Sequence, residues 1–437
     1  MKDLKQKLKE FYPESKPEKS FNEDSSPLAN QLKRLYPEKK NIKHFPDTRL
    51  QQQSTGLEEL VGGRWINTSF GDIFRAEFVW NLKDLYGNCD LSTIFSIDLK
   101  AFSEIFLAPP PRSVESILFL DTETTGLSGG SGTVAFMIGL GFIKDNSFHV
   151  HQYFISRLSH EEGMLELVQN IVNQYDTIIS YNGKTFDIPL LNTRFLMNHQ
   201  HPFHPDLSHI DLLHHSRNLW KYSQENCKLT TLERDKLGFE REEDIPGELI
   251  PGVYFEYIRL NRVDMLTQVF IHNRWDIITM LAILLRIVES QTRHQAENNP
   301  LDDYAKGRLF RNRKDFERSI SHYRHVLSSS ISRQRRINTL LELGAVLKKC
   351  GEFEDALIVW TEACDPDLPF CFEAYRELAV YYEHREKDFL KAHHIVSEAL
   401  MKIPRHRQDQ IPDMEKRKNR LERKISSGNN DERHNRL

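Results

Sequence analysis

Residues 117–120, Ile-Leu-Phe-Leu, form an uninterrupted apolar run that ends at Asp121, a pattern that predicts a buried strand. Residues 177–181 read as a second strand, which passes through an Asn182-Gly183 turn into a helix starting near Ile188 with Pro189 in its first turn. Met265, Val269, Asp276, Met280, Ile283 and Ile287 recur at helical spacing and predict a long helix with one apolar face. Between Gly62 and Leu107 polar and apolar residues alternate, as in DIFRAEFVW at 72–80, which predicts strands closed off by the prolines of 109–111. After Ser290 the pattern changes to paired helices.

A length of 437 residues with 39% hydrophobic content exceeds one core and implies two or three domains. The expected division is a largely disordered arm over 1–58, a small β-containing extension over 59–110 packed on the next piece, a central α/β domain over 111–290, helical repeats over 300–404 and a basic tail over 405–437. The arm is rich in Lys, Glu, Ser, Pro and Gln without periodicity. Within it LKEFYPE (8–14) recurs as LKRLYPE (32–38), a pair that reads either as chance or as docking motifs. Five cysteines without a CxxC pair favour reduced thiols and a cytoplasmic setting. The N-terminal stretch MKDLKQKLKEFYPESK lacks an apolar signal core, and no run reaches the roughly 20 apolar residues of a membrane span.

Four acids stand beside these apolar runs. Asp121 and Glu123 project from one face of their strand, about 6 to 7 Å apart, and repel each other unless a cation sits between them, the plain alternative being a strand end with two solvated acids. Asp187 lies at a strand-to-helix junction, where the plain alternative is a helix N-cap. Asp276 lies on the apolar face of the long helix, a costly place for a carboxylate that has no partner or cation. His272 is one turn earlier on that face.

DTETTGL, NGKTFD and HNRWD, in that order, resemble the three exonuclease motifs of the DEDD (DnaQ-like) family within the ribonuclease H fold. HIDLLHHSRNLW (209–220) and LTTLERDKLGFERE (229–242) resemble more narrowly its YprB-like branch, and the likeness covers roughly residues 110 to 290. The resemblance implies a central mixed sheet flanked by helices, with Asp121, Glu123, Asp187 and Asp276 holding two Mg²⁺ or Mn²⁺ ions. It also implies 3′-5′ exonuclease chemistry on DNA or RNA, a type of reaction that oxygen-rich, hard-cation sites support. Family members carry a Tyr four residues before the last acid or a His five residues before it. Here His272 stands four before Asp276, so histidine chemistry occupies the tyrosine spacing, and both a general-base role and a plain bonded histidine remain open. Thr124, Asn182 and Asp211 are the substrate-facing candidates, with support behind the metal ligands or a purely structural role the alternatives for Asp211.

The segment SGGSG at 128–132 lacks the Lys-Ser/Thr of a phosphate-binding loop and reads as a connection between strands. His199, His201, His204, His209, His214 and His215 cluster without a Cys pair, among Pro202 and Pro205, which describes an exposed loop rather than a zinc site. In the last third, Leu343, Gly344, Leu347, Ala356, Trp360 and Ala363 resemble a tetratricopeptide repeat. Gly307, Phe310, Tyr323 and Val326 upstream keep its intervals; Leu378, Ala379, Tyr382, Ala392, Val396, Ala399 and Pro404 downstream keep them with one inserted residue. Such repeats suggest a protein partner. Net charge is only −4, but residues 304–336 carry ten Lys or Arg against two acids, a stripe suited to steering a nucleic-acid strand or simply to a solvated face. Three readings follow: an exonuclease, a metal-dependent endonuclease, and a non-catalytic scaffold or nucleic-acid-binding protein.

Overall fold

The structure, a computed structural model, describes residues 56–126, 132–198, 201, 203, 207–292 and 299–434, with side chains to 427. The two heptamers of the arm, most of SGGSG, and His199, Pro202, His204 and Pro205 lie outside the described residues. After a short helix α1 (Leu57–Val61) come strands β1 (Gly63–Thr68) and β2 (Gly71–Asn81), a small hairpin of β3 (Leu85–Tyr86) and β4 (Cys89–Asp90), and helix α2 (Leu99–Phe106). The central part follows with β5 (Ile117–Thr124), β6 (Ala135–Lys144), β7 (Ser147–Ile155), α3 (Glu161–Val172), β8 (Thr177–Ser180), α4 (Asp187–Met197), β9 (Ser208–Asp211) and α5 (Leu212–Trp220). Helices α6 (Leu229–Leu232), α7 (Ile250–Leu260) and the long α8 (Leu266–Thr292) complete it.

Among the described residues seven strands form one mixed sheet in the order β1-β2-β7-β6-β5-β8-β9. β5, β6, β7, β2 and β1 run antiparallel to their neighbours, while β8 and β9 extend parallel to β5. The stretch that alternates between Gly62 and Leu107 therefore contributes β1 and β2 to the sheet itself, hydrogen-bonded onto β7. Alternate residues of β5 go to different apolar clusters, as its pleat requires. Leu118 and Leu120 pack with Met164, Leu165 and Val168 of α3 and with Leu191 and Phe195 of α4. Ile117 and Phe119 pack with Ile277, Leu281 and Leu284 of α8. Helix α8 lies so close to the sheet that a Cβ on Gly139 would stand 2.2 Å from Asn273 Oδ1, and one on Gly141 would stand 2.4 Å from Ile277 Cγ2. Glycine is what lets the helix reach the strand carrying the acids.

The C-terminal region is helical: α9 (Pro300–Asn312) with α10 (Phe316–Ser328), α11 (Arg333–Cys350) with α12 (Phe353–Glu362), α13 (Phe372–Tyr381) with α14 (Phe389–Lys402), and a last helix α15 (Ile411–His434). The first helix of each pair gives way through a left-handed residue, Lys314, Gly351 and Lys387 in turn. A π-helical turn over Tyr382–Glu386 takes up the extra residue of the third pair. Small residues meet large rings between paired helices, Gly307 against Tyr323 and Gly344 against Trp360. Part of the basic stretch is paired with acids, mostly near the surface: Arg311 pairs with Glu342, Arg318 with Asp315, Arg324 with Asp355 and Arg336 with Glu362. α9 meets the central part through polar bonds, since Asp302 accepts from Ser223 and, at 2.7 Å, from Lys236, while Arg308 donates to the Tyr222 hydroxyl. α15 is fastened by Glu383, which accepts from Arg417, Arg420 and Lys424 at 2.7 to 2.9 Å. No described helix is long and apolar enough to cross a membrane.

Candidate active site

The end of β5, the first turn of α4 and the middle of α8 bring the four acids to one place. Asp121 and Glu123 point to the α8 side of the sheet, because their cross-strand partners are Gly139 and Met137 and α8 lies over Gly139. Thr122 between them points the other way and donates to Asp187 Oδ1 at 2.5 Å. Asp187 is thus not a cap: the N-cap position of α4 is Phe186, which makes no side-chain bond, and the Asp187 carboxylate faces the strand instead. The turn before it is held by Asn182, whose φ of 67° is left-handed, a conformation Asn tolerates.

The protein grips one oxygen of each aspartate. Asn273, fully buried on α8, donates to Asp121 Oδ2 at 2.7 Å. Its own Oδ1 accepts from Gln152, which also donates to the Phe270 carbonyl. Asp276 Oδ1 accepts from Arg241 Nη2 at 2.5 Å. The same guanidinium reaches Glu233 Oε2 at 2.7 Å and Asp244 Oδ2 at 3.2 Å. His272 is engaged on both sides, with Nδ1 2.8 Å from Asp244 Oδ1 and Nε2 3.6 Å from Asp276 Oδ2.

The electrostatics are those of crowded, desolvated carboxylates. Burial, then the charges of Asp276, Glu123 and Asp187, push Asp121 well above the usual range, against the Asn273 bond. Burial, followed by repulsion from Asp276 and Asp187, takes Glu123 up to about 8, although His272 opposes it. Burial raises Asp187 to about 6, with the Thr122 bond working the other way. His272 is raised to about 9: burial disfavours its charged form, but Asp276, Asp244 and Glu123 outweigh that. Among the described residues no three His, Cys, Asp or Glu side chains are drawn in to metal-ligating distance. The acids nevertheless stand close enough to raise one another, and an all-oxygen donor set with excess negative charge fits a hard divalent cation.

The remaining candidates take other positions. Asp211 is 1% exposed, and its carboxylate accepts from the backbone N–H groups of Asn182, Lys184 and Leu213. Those bonds hold the Asn182 turn and cap α5, leaving Asp211 buried behind the turn rather than facing a substrate. Thr124 donates to the Gly126 carbonyl, and Asn182 Oδ1 accepts from Thr185. His209 bonds Ser180 and His215 packs against Phe106, so these two members of the histidine cluster are separately occupied. Asn273, Gln152, Thr122, Arg241, Asp244 and Glu233 escape sequence reading. Asn273 and Arg241 sit inside the strings HNRWD and LTTLERDKLGFERE, but nothing local marks which residue of such a string turns inward.

Comparison with known proteins bears on the fold of the central part. Residues 118–288 match the RNase_H superfamily model, and with the mixed sheet and its flanking helices they form an RNase H-like superfamily domain. Over 348 residues the chain is 29% identical to the uncharacterized protein YprB of Bacillus subtilis (strain 168), a match covering 78% of this chain and 83% of that protein. Among solved structures, the family B DNA polymerase of the archaeon Pyrobaculum calidifontis aligns with 48% of this chain at 14% identity and a TM-score of 0.32. The alignment spans only 29% of the polymerase, a likeness too slight to bear on function.

Proposed function

We propose that the protein is a metal-dependent nuclease, acting as a 3′-5′ exonuclease on DNA or RNA through Asp121, Glu123, Asp187 and Asp276. The observation that carries the reading is the meeting of four carboxylates from β5, α4 and α8, with Asp121, Glu123 and Asp187 desolvated and Asp276 beside them, at one place on an RNase H-like sheet. Two Mg²⁺ or Mn²⁺ ions held there would supply an activated water and stabilise charge on the leaving 3′ oxygen. The chain's own part is preorganisation. Asn273 orients Asp121, Thr122 orients Asp187, and the Asn182 turn, tied down by Asp211, sets where α4 begins. His272 can serve the reaction only through Nε2, since Nδ1 is taken by Asp244.

The three helix pairs are read as tetratricopeptide-type repeats, on the strength of Gly307 against Tyr323 and Gly344 against Trp360, and as a surface for a protein partner. Free cysteines suit a cytoplasmic place of action. The deciding experiment incubates the protein with 3′- and 5′-labelled single and double strands of DNA and RNA, and with circular DNA, plus Mg²⁺ or Mn²⁺. Stepwise loss from the 3′ end, abolished in Asp121→Ala and Asp276→Ala, is expected. Cleavage of circles would make it an endonuclease, and undiminished activity in both variants would sink the nuclease reading.

A further inference from the structure

The last acid of the cluster is held from outside its own helix. Arg241 lies on the irregular segment between α6 and α7, its side chain only 4% exposed, and its fork meets Glu233, Asp244 and Asp276 together. Glu233 is anchored in turn, accepting from the hydroxyls of Tyr86 and Thr279. Thr279 and Asp276 are one turn apart on α8, so the chain of bonds leaves α8 at Thr279 and returns to it at Asp276. A second branch returns at His272 by way of Asp244. Three successive turns of α8 are thereby fastened to the residue 233–244 segment.

We propose that Arg241 is a positioning residue for the reaction. It holds Asp276 Oδ1, so that this carboxylate meets a divalent cation through Oδ2 alone. The proposal rests on the metal-nuclease reading above. Burying a guanidinium is costly, and two carboxylates from its own segment, Glu233 and Asp244, already surround Arg241. Its Nη2 instead goes to the acid that faces the cluster. A planar fork with several donors can serve three acceptors in fixed directions, whereas the single ammonium of a lysine cannot.

The test uses full-length Arg241→Lys and, because that variant can fold poorly, the double variant Glu233→Gln/Arg241→Met, which removes both charges of the deepest pair. Mn²⁺ binding is followed by the electron paramagnetic resonance of the free ion, and cleavage of a 3′-labelled oligonucleotide is resolved into kcat and KM. Glu383→Gln, remote from the site, serves as a control for general destabilisation. Both Arg241 variants are expected to bind Mn²⁺ about 10-fold or more weakly and to lose roughly 10- to 100-fold in kcat with KM little changed, the usual effect of removing a group that orients a metal ligand. Wild-type Mn²⁺ affinity and kcat in both variants would overturn the proposal. So would losses that follow melting temperature as they do in Glu383→Gln. If the wild type binds Mn²⁺ and Arg241→Lys weakens it while neither cleaves, the nuclease reading falls and the positioning role stands. Absence of Mn²⁺ binding by the wild type would bring down both.

Discussion

Asn273 Nδ2 and Asp121 Oδ2 stand 2.7 Å apart, joining residues 152 positions distant in the chain and tying α8 to the end of β5. The Asn273 side chain is fully buried and satisfied at its other end by Gln152, so it holds Asp121 in one orientation. Asn273→Ala is expected to leave the fold intact and to cost about 10- to 100-fold in Mg²⁺-dependent cleavage, measured as initial rates on a labelled oligonucleotide. An unchanged rate would show that Asp121 needs no such support.

Gly139 makes that bond possible. An alanine there would put its Cβ 2.2 Å from Asn273 Oδ1 and 2.4 Å from Ile277 Cδ1, so α8 or the strand must move. Overpacking of this kind costs about 1–3 kcal/mol, and Gly139→Ala should show it as a lower urea midpoint. It should also lose cleavage activity beyond what the stability change explains, because the displaced group is Asn273. Gly132→Ala, where nothing among the described residues lies within 4 Å, is the matched control.

Three buried histidines should cost stability on mild acidification. Burial keeps His151, His209 and His215 neutral and lowers each from 6.5 to about 4. Between these values the unfolded chain binds more protons than the folded one, so their contribution is complete above about pH 6.5 and is lost as pH falls toward 4. Asp121, Glu123 and Asp187, whose carboxyls burial raises, take up protons in the folded chain first and work the other way over this range, so the histidine share is read by difference, from urea midpoints of wild type and variant taken from pH 7.5 down to 4.5. His215→Phe, which keeps an aromatic ring against Phe106, should gain in midpoint relative to the wild type as pH falls below about 6.5. Identical slopes in the variant and the wild type would refute this account.

Glu383 has no exposed side-chain surface and is surrounded by Arg417, Arg420 and Lys424. Although burial works against its charge, the Arg420 and Lys424 bonds outweigh it and bring it down to about 2. Glu383→Gln keeps the shape but gives up charge-assisted bonds, each worth about 1.5–3 kcal/mol at most where buried. Limited proteolysis should then release α15 well before the central domain is cut. Resistance equal to the wild type would mean that apolar contacts through Met414 and Leu421 hold the helix without it.

The strand ending at Asp121 and the helix carrying Asp276 were legible because periodicity is local: a run of four apolar residues, and a stripe repeating every turn. The acids were legible because carboxylates beside apolar runs are costly wherever they occur. Arg241 and Asn273 were not, since an arginine among acids and an asparagine in a helix read as solvated until the fold supplies partners tens or hundreds of residues away. The role of Asp211 stayed open in the sequence for a related reason: its partners are backbone amides, which no sequence pattern displays. Likewise β1 and β2 could be recognised as strands, but only pairing with β7 shows that they belong to the main sheet.

The joint between α5 and α9 bears on how this protein can be dissected. Asp302, Lys236, Ser223, Tyr222 and Arg308 interlock there, and Leu309 of α9 packs against the same apolar cluster as α8. Cutting the chain before Pro300 would strip the partner from Lys236 and uncover apolar surface that the central domain normally shares. An isolated central fragment would therefore carry a sticky scar, and insolubility of that fragment would reflect where the scissors fell rather than any inability of the sheet to fold.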